Sequence, residues 1–170
     1  MLVEGQTEAL TLPVLLAKRG LNVEKEGIAI LSVGGKGNLA KWYRLYAAYG
    51  IPSYIVFDND ASDDREAKKR SDALIAIGTD QGAIDGLINK SEWIVSERYT
   101  IFGQDFESEM RKRFAQYSQL EEQAKAQGVD TKPFIARYVA EGLDPSCSDP
   151  GWQKVDEMIQ RLKALIKTRE

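Results

Sequence analysis

Glu4 and Glu8 stand four positions apart near the start of the chain, and Asp58 and Asp60 flank Asn59 far downstream. Each pair follows a short apolar segment, Leu2-Val3 in one case and Ser53–Phe57 in the other. In open α/β sheets ligands sit just beyond the carboxyl ends of the strands, so two acidic strand ends can meet at one point. Crowded carboxylates resist ionisation unless a cation lies among them. With oxygen donors and no histidine anywhere in the chain, that cation is expected to be hard, Mg²⁺ or Mn²⁺. The missing imidazole also removes histidine-based triads and general bases.

Each motif has a plainer reading as well. Glu8 beside Thr7 fits an acidic helix start with Thr7 as N-cap. It does not explain Glu4, which precedes a glycine at a strand end. Asp58-Asn59-Asp60 on its own reads equally as a turn. Alternate residues of an extended segment share a face, however, so Asp58 and Asp60 can address one ion. A third acidic group, Asp105 and Glu107, can complete a second metal site, whereas Glu109 reads as helix-start charge. Between an apolar run and a helix lies Gly34-Gly35-Lys36-Gly37-Asn38, whose backbone amides and lysine suit a phosphate. It is not a nucleotide-binding P-loop: Ile30 stands where the first glycine belongs, and Gly37 follows Lys36 in place of Ser or Thr. No nucleotide is expected to bind this chain.

The elements that must hold these residues alternate. Gly27–Val33, Ser53–Phe57, Trp93–Ser96 and Tyr99–Phe102 read as strands, the last two as one strand and its extension. Residues 7–19, with a kink at Pro13, and 39–49 and 63–77 read as helices. After residue 104 the pattern becomes helical, over 105–125, 132–141 and 153–168. The chain therefore reads as an α/β core over residues 1–104 with a helical extension over 105–170. Its 170 residues carry a formal net charge of −3, which excludes a chain basic overall and leaves nucleic acid to local patches or bound metal. The basic residues Lys36, Lys41, Arg44, Lys68, Lys69, Arg70, Arg111, Lys112 and Arg113 form such clusters, each of which also reads as a solvated helix face. The single cysteine, Cys147, excludes an internal disulfide. No apolar run reaches membrane-spanning length, so a soluble, cytoplasmic protein is expected, with no membrane partner. The opening strand is short, which suggests a piece of a longer protein or a shortened homologue.

Taken together, Val3-Glu4-Gly5-Gln6-Thr7-Glu8, Val33-Gly34-Gly35-Lys36-Gly37-Asn38 and Asp58-Asn59-Asp60 resemble the Toprim domain, and more specifically the C-terminal nuclease region of OLD (overcoming lysogenization defect) endonucleases. The resemblance covers residues 1 to about 60 and continues in short motifs between 100 and 140. It implies a Toprim-like parallel, Rossmann-like sheet flanked by helices. It implies Glu4, Glu8, Asp58 and Asp60 as metal ligands, Asp105 and Glu107 as the acidic pair after the sheet, and Lys132 as the lysine that stabilises the transition state. The implied activity is two-metal hydrolysis of DNA phosphodiesters, with an N-terminal ATPase elsewhere in the full-length protein or on a partner chain. The same motifs leave open a non-catalytic Toprim module of a recombination, repair or topoisomerase-like protein. A topoisomerase would need a catalytic tyrosine from another domain, since Tyr43, Tyr46, Tyr49 and Tyr54 read as core or surface aromatics. A primase lacks its zinc ribbon here, and a phosphatase built on D-x-D stays open. Oligomeric state and DNA preference are not encoded in any motif.

Overall fold

The computed structural model describes residues 1–167; Thr168, the last residue of the expected final helix, lies outside the described residues. A five-stranded sheet has the order β2-β1-β3-β5-β4, formed by β1 (Leu2–Val3), β2 (Leu31–Ser32), β3 (Ile55–Asp58), β4 (Ile94–Val95) and β5 (Tyr99–Phe102). β1, β2, β3 and β5 are parallel, and β4 runs antiparallel to β5. The α/β class and its mostly parallel sheet are as the sequence leads one to expect.

Strand periodicity explains why the sheet is covered on both faces. Along β3, Tyr54 and Val56 point to one side and Ile55 and Phe57 to the other, because successive side chains alternate. Val3, Val56 and Phe102 pack with Leu12, Leu15 and Leu16 of α1 (Gln6–Lys18). The same cluster takes in Phe106 and Met110 of α5 (Phe106–Arg113), Val139 of α7 (Lys132–Gly142), and Trp152, Val155 and Met158 of α8 (Pro150–Lys167). The helices beyond residue 104 thus share a core with the first helix. On the opposite face Leu2, Ile55, Phe57 and Ile101 meet Leu39 of α2 (Leu39–Ala48), Ala73 and Leu74 of α3 (Ala67–Ala76), and Ile84 of α4 (Gln81–Leu87). A short 3₁₀ turn precedes α2 (Lys36–Asn38) and another precedes α3 (Asp64–Glu66).

Several local expectations are corrected. Only Leu31–Ser32 of the 27–33 run pairs as a strand, because its partner β1 offers just Leu2 and Val3. Trp93–Ser96 does not extend β5 but folds back on it, closed by the Ser96 amide donating to the Tyr99 carbonyl at 2.8 Å. α1 starts after Gly5 rather than at Thr7, which is buried, and continues through Pro13 without a break. The 105–125 helix divides at Phe114, whose extended backbone (φ −122°, ψ 110°) places its ring edge-on to Trp152 at 5.0 Å; α6 (Tyr117–Ala126) follows. α4 has no counterpart in the sequence reading. No helix among the described residues is long and apolar enough to cross a membrane.

Gly103, directly after β5, leads the chain toward the third acidic group. A Cβ there would lie 2.1 Å from the Ser91 carbonyl carbon and 2.3 Å from the Glu92 nitrogen, both main chain. Gly103→Ala is therefore expected to destabilise the fold by about 3 kcal/mol, the upper range for overpacking, read as a lowered urea midpoint. An unchanged midpoint would mean that this close approach is absent.

Candidate metal and phosphodiester site

β1 and β3 are hydrogen-bonded neighbours, so the residues that follow them emerge side by side. Glu4 Oε2 accepts the Asp58 amide at 3.2 Å, tying the two strand ends together. Glu8, one helical turn on, accepts the Gly5 amide at 2.9 Å through Oε2 and is 4% exposed. Asp58 Oδ1 accepts the amide of Phe106 at 2.9 Å, which brings the start of α5 and the buried Glu107 to the same place. Lys132, the first residue of α7, reaches across with its ammonium 3.0 Å from Glu107 Oε2. Glu4, Glu8, Asp58, Asp60, Glu107 and Lys132 therefore gather at the carboxyl end of the parallel strands. Beside them α5, α6 and α7 enclose a cleft of about 360 Å³ lined by Asp105, Glu107, Arg111, Tyr117 and Lys132 among others. A second cavity of about 270 Å³ lies at the opposite end of the strands; it is lined by Leu2, Leu31, Tyr54 and Leu162 and contains no acid.

Burial and mutual repulsion set the electrostatics. Asp58 is pushed well above the ordinary carboxylate range, first by burial, then by Glu8, Glu4, Glu107 and Asp60. Glu4 and Glu8 are raised too, again chiefly by burial; Lys36 and the Asp58 amide partly offset it at Glu4, and main-chain amides do so at Glu8. Neither buried oxygen of Glu107 has a well-formed hydrogen bond, and Oε2 is held by the Lys132 ammonium as an ion pair. A buried carboxylate held only by the ammonium of an exposed lysine, beside acids that resist ionisation, fits a hard divalent cation, and all available donors are oxygens. Among the described residues no three such groups are already gathered into an ion cage.

Four residues sit differently from the sequence reading. Asp105 caps α5, its carboxylate accepting the amide and hydroxyl of Ser108 at 2.8 and 2.7 Å. Burial alone would raise Asp105, but those two bonds, together with Glu107 and Lys132, hold it below its ordinary value. The Lys36 side chain turns inward, 1% exposed, against Asp60 and 3.8 Å from Glu4. Gly34 and Gly35 adopt φ of 73° and 114°, the backbone a glycine permits, and the Gly35 amide is used by the Glu4 carbonyl at 2.8 Å.

Two further residues hold the D-x-D segment. Asn59 is fully buried and donates to the carbonyls of Leu87 and Lys90 at 3.0 and 2.8 Å, at the end of α4. Arg70, also fully buried, donates to the carbonyls of Asp60 and Asp63, both at 2.9 Å. It fixes Asp60, the one non-glycine residue with positive φ (44°) among the described residues. A signal existed: Arg70 shares the i, i+3, i+4, i+7 stripe of Ala73, Leu74 and Ile77. The other basic clusters are largely neutralised. Lys68 pairs with Asp72, Lys69 with Glu66, Arg111 with Glu121, and Lys112 and Arg113 with the buried Glu109. Tyr54 is a core residue, its hydroxyl bonded to the Tyr99 carbonyl and Thr100 hydroxyl at 2.8 Å.

A mostly parallel sheet whose first and third strands end in glutamate and D-x-D resembles a TOPRIM domain. Residues 1–60 match the profile described as "Overcoming lysogenization defect protein-like, TOPRIM domain". The fold is similar to the C-terminal region of the Burkholderia pseudomallei OLD protein, with a TM-score of 0.71 and 19% identity over 97% of this chain and 96% of that one. It is likewise similar to the C-terminal region of the Xanthomonas campestris pv. campestris OLD protein, with a TM-score of 0.66 and 18% identity over 99% and 95%. At such identities the likeness is one of fold, and it extends beyond the first 60 residues to the helical half. No curated protein sequence matches the chain.

Proposed function

We propose that this chain is a divalent-metal-dependent DNA endonuclease domain, the nuclease part of an OLD-type protein whose ATPase lies upstream. The observation that supports the reading is the mutual proximity of Glu4, Glu8, Asp58, Asp60 and Glu107, with Lys132 paired to Glu107. These acids, with Asp105 at the rim, would hold up to two Mg²⁺ or Mn²⁺ ions. Such ions supply Lewis-acid charge at a scissile phosphate.

The chain's own residues do the rest. The Asp58 and Phe106 amides fix the Glu4 and Asp58 carboxylates, so little reorganisation is needed when a phosphate arrives. Lys132, whose side chain is 65% exposed, can turn from Glu107 toward a bound phosphate and place a fixed positive charge on its oxygens. Lys68, Lys69, Arg111, Lys112 and Arg113 are each paired with an acid, so DNA binding should be weak and little sequence-selective. The test is a supercoiled plasmid incubated with the protein: open-circular product is expected with Mg²⁺ or Mn²⁺ and none with EDTA. Absence of nicking with either ion, or nicking that EDTA leaves intact, would overturn the assignment.

A further inference from the structure

We propose that Lys36 is a resident cation of the acid cluster, occupying its Glu4–Asp60 side, so that one divalent ion binds tightly at Glu8, Asp58 and Glu107 and a second binds only where Lys36 is displaced. This rests on the ion-binding reading above and adds an asymmetry to it. The two lysines of the site differ in one decisive respect. The Lys132 side chain is 65% exposed and can leave Glu107 for solvent, whereas that of Lys36 is 1% exposed with its ammonium on Asp60 and near Glu4. A buried ammonium without counter-charge is strongly unfavourable, so Lys36 and the two carboxylates hold each other in place.

The loop directs it there. The Gly35 amide donates to the Glu4 carbonyl at 2.8 Å, and the Asn38 side-chain amide donates to the carbonyls of Val33 and Gly34 at 3.0 and 3.2 Å. With its backbone pinned at both ends, the loop can release the acids only by rotating the Lys36 side chain. Asp60 is held as firmly, its carbonyl by Arg70 and its amide by the Gln104 carbonyl at 2.9 Å. A divalent ion entering between Glu4 and Asp60 would meet a like charge at contact distance, which disfavours it unless the ammonium withdraws. On the other side the cation on Glu107 is Lys132, whose side chain is 65% exposed, so an ion there displaces an ammonium that can move out to solvent. A displaced Lys36 would join the exposed face beside α2, where a DNA phosphate could receive it.

Mn²⁺ titration of the DNA-free protein by calorimetry tests this. The wild type should take one ion tightly and a second at least about tenfold more weakly, and Lys36→Met should tighten the second by about tenfold while sparing the first. A second measurement guards against a variant that fails to fold. In the wild type, acylation of Lys36 followed by mass spectrometry should be slow without metal and faster at saturating Mn²⁺. Two equally tight ions in the wild type, an unchanged or weakened second ion in the variant, or metal-independent acylation would each overturn the role of Lys36 and leave the nuclease reading standing. Binding of no Mn²⁺ by either protein would overturn both.

Discussion

Asp58→Asn is expected to lower metal-dependent nicking by ~10³-fold or more, since it removes a central ligand from ions that contribute several kcal/mol at the transition state. The same substitution should make the metal-free protein more stable at neutral pH. Asp58 is buried among Glu4, Glu8, Glu107 and Asp60, and its folded carboxyl lies well above the ordinary value of 3.8. The folded state therefore holds this proton more tightly than the unfolded chain does. That contribution is fully present below 3.8 and is lost as pH rises from there through the raised folded value. Asparagine keeps an oxygen to accept the Phe106 amide, 2.9 Å away in the wild type, and never takes up the charge. Urea melts in EDTA should show the variant gaining on the wild type as pH climbs from 4 to 7, and added Mn²⁺ should stabilise the wild type alone. Retained nicking, or a variant weaker than the wild type at pH 7, would contradict the account.

What could be read from the sequence follows the range of the interactions involved. The strand ends carrying Glu4 and Asp58 are local features: an apolar run, then an acid. Parallel pairing of adjacent strands converts that pattern into proximity. Lys36 shows the limit. Gly-Gly-Lys-Gly announces a loop with free amides, but its lysine's direction depends on Asp60, which becomes a neighbour only through the sheet. Arg70 belongs to a run with Lys68 and Lys69 and resembles them in composition; only its place on the apolar stripe of α3 sets it apart. Asn59 takes its role from the carbonyls at the end of α4, and α4 itself was hidden by its shortness, though Asp80 caps it through the Ala83 amide at 3.0 Å. Likewise, β4 could not be assigned a direction from its own residues, because the turn that reverses it is held by a main-chain bond.

Lys132→Ala is expected to reduce the rate of cleavage by about 10²- to 10³-fold, the range for losing one preorganised positive or hydrogen-bonding group at a developing negative charge. Metal binding should survive, and should tighten where Glu107 contributes, because the competing ammonium is gone. Lys132 is badly placed to serve its own helix: a cation in the first turn of α7 opposes the helix dipole, and its single ion pair joins an exposed ammonium to the buried Glu107. Burial alone would lower its pKa, yet Glu107, Asp58 and Asp105 more than offset this and keep it raised, so it carries its charge throughout the neutral range. With Mn²⁺ bound to replace the lost charge beside Glu107, the variant's thermal midpoint should move little, while the loss falls on the rate. Single-turnover nicking at saturating Mn²⁺, alongside a Mn²⁺ titration, separates the two effects. A variant that cleaves at the wild-type rate would remove Lys132 from the chemistry. One that loses its metal along with its activity would make this lysine a support for the acids rather than a contact to phosphate.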